Sequence, residues 1–134
     1  MSDAVIPPRV QRFISTHIDS IEKLEVLLLM RSRASREWNA RDVSQELRIT
    51  EASANARLED LTARRFLLRQ AGPPPTYRFN PASLEDEQDI SALQETYSTR
   101  RVSVISFIFS KPLDKVRGFA DAFRLKRDKD DGHG

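Results

Sequence analysis

Residues 38–79 read WNARDVSQELRITEASANARLEDLTARRFLLRQAGPPPTYRF. Asn39 is a residue that caps helices well. Asp42 follows three positions on, where a side chain can return a hydrogen bond to the cap. Val43 and Leu47 then fall one turn apart, which predicts a short helix with an inward face. Arg48 and Ile49 make a turn, with Ile49 directed inward. Thr50 caps a second helix, expected over 51–65, and Glu51 in its first turn suits the positive helix end. Ala54, Leu58, Leu61 and the stem of Arg65 share one side of that helix. Ala52, Ser53, Ala56, Asp60 and Ala63 take the other, flanked by Arg57, Glu59 and Arg64.

Phe66, Leu67 and Leu68 leave the helix for a strand, Gly72-Pro73-Pro74-Pro75 form a tip, and Thr76 to Phe79 return. In the return strand Tyr77 and Phe79 share one side and Thr76 and Arg78 the other. Three prolines stiffen the tip and remove its N–H donors. The nearest cations, Arg69 and Arg78, lie down the strands. Trp38, alone before the first cap, is expected as a very short strand paired with this hairpin.

A short strand, two helices on a tight turn and a hairpin, in that order, resemble the winged helix-turn-helix domains of bacterial transcription regulators. The resemblance rests on Trp38, the Asn39 and Thr50 caps, the Val43, Leu47, Leu58 and Leu61 core, and the Tyr77–Phe79 return strand. With its flanking helices the layout is also similar to the small dimeric regulators of the multiple-antibiotic-resistance type, whose terminal helices form the dimer interface. The acidic-and-arginine wing signature of that type is absent, so only the layout is carried over and no ligand site. The resemblance implies double-stranded DNA as partner, a homodimer, and helix 51–65 in the major groove. Small side chains let a helix sink into that groove, and Asn and Arg read adenine and guanine edges. Thr50, Ser53, Asn55, Ala56 and Arg57 are therefore the expected groove contacts, and Arg41, Arg64, Arg69 and Arg78 the expected phosphate contacts.

Working outward, residues 1–7 are expected as a disordered tail. Pro7 and Pro8 open a helix over 8–16 that lays Val10, Phe13 and Ile14 inward. Asp19, with Glu22 three residues on, is the expected cap of a helix over 20–32. The consecutive apolar residues Val26 to Met30 predict burial of that helix on more than one side. Arg31, Arg33 and Arg36 suit its negative end.

Asn80-Pro81-Ala82-Ser83 breaks the chain and marks the expected boundary between a unit at 8–81 and C-terminal helices at 82–126. Ile90, Leu93, Tyr97, Arg101, Val104 and Ile108 hold one stripe, which predicts a single helix of about 20 residues ending near Phe109. Its acidic start, LEDEQD at 84–89, suits a helix N-terminus. Its last turns, VSVISFIF at 102–109, are apolar nearly all round, and a strand is the alternative there. Leu113, Val116, Phe119, Ala120 and Phe123 predict an amphipathic helix over 112–125. Tyr97, Val104, Ile105, Phe107, Ile108, Phe109, Phe119 and Phe123 form the expected oligomer or partner surface, and 127–134 a charged tail. The fold class expected is mainly α with a small β-hairpin.

The totals limit the functions open to the chain. Its 134 residues suit one domain with a real core. It carries no cysteine, hence no disulfide framework and no thiolate nucleophile. No run of about 18 apolar residues exists, and MSDAVIPPRV lacks the apolar core of a secretory signal, so the expected compartment is the cytoplasm. Net charge is +2, from 17 Arg and 5 Lys against 20 acids. The positive excess falls before residue 82, where 12 Arg and 1 Lys face 10 acids. The two histidines, His17 and His133, have no second ligand-type residue preorganised beside them, so no metal is expected. No phosphate loop, Cys–His pair or plausible triad is present, so neither catalysis nor a cofactor is expected. The competing readings are a protein-interaction module docking through the C-terminal apolar helices, and a membrane-surface anchor over 102–125.

Overall fold

A computed structural model describes residues 6–110. Four of the six described helices begin where a side chain takes an orphan amide. Helix α1 (Pro8–His17) opens on proline, which has no amide hydrogen to satisfy. In α2 (Ile21–Ser32), Ser20 Oγ accepts from the Lys23 N–H at 3.0 Å. In α3 (Ala40–Leu47), Asn39 accepts from the Asp42 N–H at 2.7 Å while Asp42 accepts from the Asn39 N–H at 3.4 Å, a full capping box. Thr50 caps α4 (Glu51–Ala63) and Ser83 caps α5 (Leu84–Thr99), each at 3.0 Å. A sixth helix, α6, covers 101–110. The described chain is mainly α, with one antiparallel hairpin of β1 (Leu67–Gln70) and β2 (Thr76–Phe79).

The cap of α2 is Ser20, not Asp19. Ser20 has the extended backbone that brings its hydroxyl to the amide three residues on. Asp19 lies one residue too far out, and its carboxylate pairs with Lys23 at 3.2 Å. Helix α4 ends at Ala63, two residues short of expectation. Arg65 takes a left-handed backbone (φ 70°), and the Phe66 N–H returns to the Leu61 carbonyl at 3.1 Å. This reversal turns Phe66 into the core and leaves Arg65 exposed, so the Arg65 stem does not join the inward face.

The single helix expected up to Phe109 is two. Arg100 breaks it (φ −134°, ψ 52°), after a run in which Thr96, Ser98 and Thr99 hydroxyls bond back to the carbonyls four residues earlier. Such back-bonding weakens and bends helices. The apolar stripe survives the break: Ile90, Leu93, Tyr97, Val104 and Ile108 are all buried. Residues 102–109 are helical, not a strand.

In the hairpin Leu67 faces Phe79 and Gln70 faces Thr76. Trp38 adds a one-residue bridge to Tyr77, donating at 2.8 Å and accepting at 2.7 Å. Its indole is 1% exposed, and the Arg36 guanidinium lies 3.6 Å from the ring centroid. Around this edge, α3 packs on α4, α1 packs on α5, and α2 runs through the middle against α4, α3 and β2. That placement explains why Val26, Leu27, Leu28 and Met30 are all buried.

One apolar cluster joins α1 through α6 and the hairpin. The break at 80–83 is a turn within it, tied back by Asn80 N–H to Phe66 C=O at 2.9 Å and Ala82 N–H to Arg65 C=O at 3.0 Å. Ile6, expected in the frayed tail, is buried in the same cluster, and its carbonyl accepts from the Gln11 amide at 2.7 Å. Residues 1–5, the helix expected over 112–125 with Phe119 and Phe123, and the tail at 127–134 lie outside the described residues.

Lys23 is the one buried cation among the described residues, its side chain 4% exposed. Its ammonium lies 2.5 Å from Asp60 of α4 and 3.2 Å from Asp19. A buried charge left without a partner is costly, and here two carboxylates supply one. Lys23→Ala removes the cation that both acids share and is expected to cost about 2 kcal/mol, read as a lower urea midpoint at unchanged m-value.

Candidate functional site

The outer face of α3, α4 and the hairpin is where the expected site residues fall. The turn between the helices is closed by Arg48, left-handed at φ 58°, and by the Ile49 N–H bonding Ser44 C=O at 3.0 Å. Half-buried Ile49 and Leu47 pack against the core below it. Ala52, Asn55 and Ala56 are exposed along the N-terminal half of α4. Thr50 is exposed too, with its hydroxyl already accepting the Ser53 N–H, and Ser53 is half-buried. Asn39, Arg41, Glu51 and Asn55 line a cleft of about 450 Å³ closed on its far side by Pro74, Pro75 and Tyr77. The prolines at the hairpin tip thus wall the cleft with apolar surface and bring no charge to it.

The expected arginines divide into two sets. Arg57 Nε donates to Glu22 of α2 at 2.8 Å. Arg64 Nε donates to Asp60 at 3.0 Å, while its Nη1 donates to the Thr16 carbonyl at 3.1 Å. Arg69 Nε donates to Glu59 at 3.2 Å. Arg57 and Arg69 each join two elements through a carboxylate, while Arg64 pairs with Asp60 of its own helix and reaches α1 through the Thr16 carbonyl. Arg41 and Arg78 have no side-chain hydrogen bond or ion pair among the described residues; Arg41 is exposed and Arg78 half-buried. Asp60, expected on the outward face with Ala52 and Ala56, instead turns toward α2 to meet Lys23.

Glu59 is the hinge between α4 and the hairpin. It accepts from the Tyr77 hydroxyl of β2 as well as from Arg69 of β1. Burial and this carboxylate together raise the Tyr77 pKa, so the phenol stays protonated and donates. The Asp60 carboxyl is pushed up by burial, but hydrogen bonds and charge from Lys23 and Arg64 outweigh that and leave it lowered. Sequence reasoning missed Glu22, Glu59 and Arg48. Arg48 carried a signal, its place in the turn between the helices. The two glutamates carried none, because their partners lie 35 and 10 or 18 residues away.

The surface expected for a partner is mostly interior. Tyr97, Val104 and Ile108 are buried in the chain's own core, because α5 and α6 must cover α1 and α2. Ile105 and Phe107 are half-buried and pack against the same cluster. Phe109 alone of the described set stands out, at 66% exposed. No helix among the described residues is long and apolar enough to cross a membrane, and no group of three or more metal-ligand side chains occurs among them. No family model, curated protein or solved structure matches the chain.

His17 closes α1 against α4. Its ring packs between Phe13 and Phe66, each 4.9 Å away, and Arg64 Nη1 lies 3.1 Å from Nδ1. A guanidinium only donates, so Nδ1 accepts and the neutral imidazole carries its proton on Nε2. Burial lowers the His17 pKa first and the Arg64 charge lowers it further, below 6.5. The unfolded chain therefore binds this proton more readily. Its contribution to stability is full above pH 6.5 and is lost as pH falls through the folded-state value beneath it. Urea midpoints measured from about pH 7.5 down to about pH 5 should fall more steeply in the parent chain than in His17→Gln, which keeps an acceptor for Arg64 but cannot titrate.

Proposed function

We propose that the chain is a winged helix-turn-helix protein that binds double-stranded DNA and regulates transcription, with the N-terminal half of α4 in the major groove. The observation that carries this reading is the exposed row of short side chains, Ala52, Asn55 and Ala56, beside the unpaired Arg41. A helix with that face can approach base edges closely, and an asparagine amide can pair with adenine in two places at once. Arg41 and Arg48 at the ends of α3 supply phosphate contacts on either side. Arg57, Arg64 and Arg69 are structural in this reading, since each would have to leave a carboxylate to reach DNA. Pairing of two such units on half-sites about one helical turn apart belongs to the same proposal. The contact surface of that dimer lies outside Tyr97, Val104 and Ile108.

Fluorescence anisotropy with mixed duplex DNA at several salt concentrations tests the reading. Binding should weaken measurably with rising salt, and Arg41→Ala should reduce the slope of the log–log plot by about 1. Against a site enriched from a random duplex pool, Asn55→Ala should cost about 1–3 kcal/mol. Arg57→Ala should lower the unfolding midpoint and leave the salt slope unchanged. Absence of binding at low salt would overturn the proposal.

A protein-interaction module on the same fold is the second reading. It is favoured by the pairing of Arg57, Arg64 and Arg69 with acids and by the exposed Glu51 and Glu59 near the cleft. In that case the proline-walled cleft faces a protein, and the chain shows no salt-dependent DNA affinity.

A further inference from the structure

The cleft between the first turns of α3 and α4 and the hairpin tip gathers three polar side chains that have no partner of their own. Arg41, Glu51 and Asn55 line it, are exposed, and make no hydrogen bond or ion pair among the described residues. Nearby charges on the same elements are matched: Arg36 lies against Asp42, Arg57 against Glu22 and Arg69 against Glu59. Arg41 and Glu51 are opposite in sign and share one cleft, yet they do not pair with each other. Glu51 and Asn55 stand one turn apart on the same face of α4. Pro74 and Pro75 supply an apolar wall on the far side. The walls are held in place without an occupant. Proline restricts the backbone of the tip, and Glu59 of α4 accepts from both Tyr77 and Arg69, which ties the hairpin to the helix. At about 450 Å³ the cleft falls within the range of small-molecule sites, about 300–1,000 Å³, and like them it joins apolar surface to a few converging polar groups.

We propose that this cleft binds a small zwitterion with an apolar side chain, of the class of an α-amino acid. A plain anion would be held by Arg41 and repelled by Glu51, and a plain cation the reverse. A peptide terminus brings only one of the two charges. An α-amino acid brings both at about pH 7. Its carboxylate accepts from the Arg41 guanidinium, its ammonium donates to Glu51, and Asn55 offers a further donor and acceptor beside them. Its side chain lies on the rings of Pro74 and Pro75, out of water. The site does not rest on the DNA reading, and its titration needs no DNA. A duplex held through Arg41 and Asn55 would compete with the amino acid for both side chains.

The full chain is titrated with L-phenylalanine and with L-leucine, each up to about 10 mM, and followed by proton–nitrogen NMR. Saturable shifts are expected at the amides of Ala40, Arg41, Glu51 and Asn55, with a dissociation constant of about 1 mM or lower. Phenethylamine lacks the carboxylate and phenylpropanoate lacks the ammonium, and each should bind about tenfold or more weakly than L-phenylalanine. Arg41→Ala and Glu51→Gln should each weaken L-phenylalanine by about tenfold or more. Arg12→Ala removes another exposed arginine, on α1 and outside the cleft, and should leave binding unchanged. Should a variant fail to fold, the two analogues on the parent chain decide. No saturable shift with either amino acid overturns the proposal. So does an analogue that binds as tightly as L-phenylalanine, since the cleft would then recognise one charge alone. Saturable shifts confined to residues away from the cleft overturn it too.

Discussion

The Lys23 ammonium, enclosed between α2 and α4, sets how α4 sits on the rest of the molecule. A buried cation must be neutralised where it lies, and Asp60 does so from the inner flank of α4 at 2.5 Å. Asp60 in turn receives Arg64, and Arg64 reaches the end of α1 through Thr16 and His17. Lys23, Asp60, Arg64, the Thr16 carbonyl and His17, five groups joining α1, α2 and α4, are therefore satisfied together. Rotation of α4 about its axis would take from Lys23 the nearer of its two carboxylates, so the face that α4 shows to solvent follows from a contact on its other side.

The same logic runs outward to the hairpin. Arg57 is drawn to Glu22, and Glu59 receives both Tyr77 and Arg69. Among the described residues, six of the 13 cations before residue 82 (Arg9, Lys23, Arg36, Arg57, Arg64 and Arg69) are thus tied to carboxylates of the fold. What remains for an outside partner is Arg41 at the cleft, Arg48 in the turn, exposed Arg65 and half-buried Arg78, together with Arg12, Arg31 and Arg33. A DNA interface built on these would rely on shape and on few phosphate contacts, giving a modest salt dependence. A protein interface would use the proline-walled cleft.

The C-terminal helices follow a different constraint. α5 and α6 bury Ile90, Leu93, Tyr97, Val104 and Ile108 to close the core over α1 and α2. The bend at Arg100 lets α6 keep its share of that stripe while changing direction. It also leaves the other side of α6 apolar and uncovered, at Val102 and Phe109. A helix apolar all round needs two partners, and the described residues supply one.

Much of this architecture was legible in the sequence because its signals are local. Asn39 with Asp42, Thr50, the triple-proline tip and the alternation of Tyr77 and Phe79 act over four residues or fewer, and each marks the element it marks in the structure. Local ambiguity produced the small errors. Asp19 and Ser20 are both good caps, and only the backbone selects Ser20. Arg100, after back-bonding by Thr96, Ser98 and Thr99 that weakens the preceding turn, breaks a helix that its apolar period alone would continue. The arginines were a different matter. Nothing within a turn of Arg57 or Arg69 shows that a carboxylate waits for it on another element, nor that Asp60 turns inward toward Lys23. The sequence by itself determined the order of helices and strands up to residue 99 and which residues are apolar. Only the tertiary structure decided which charges are consumed in holding it together and which apolar residues are core, because those pairings join positions far apart along the chain.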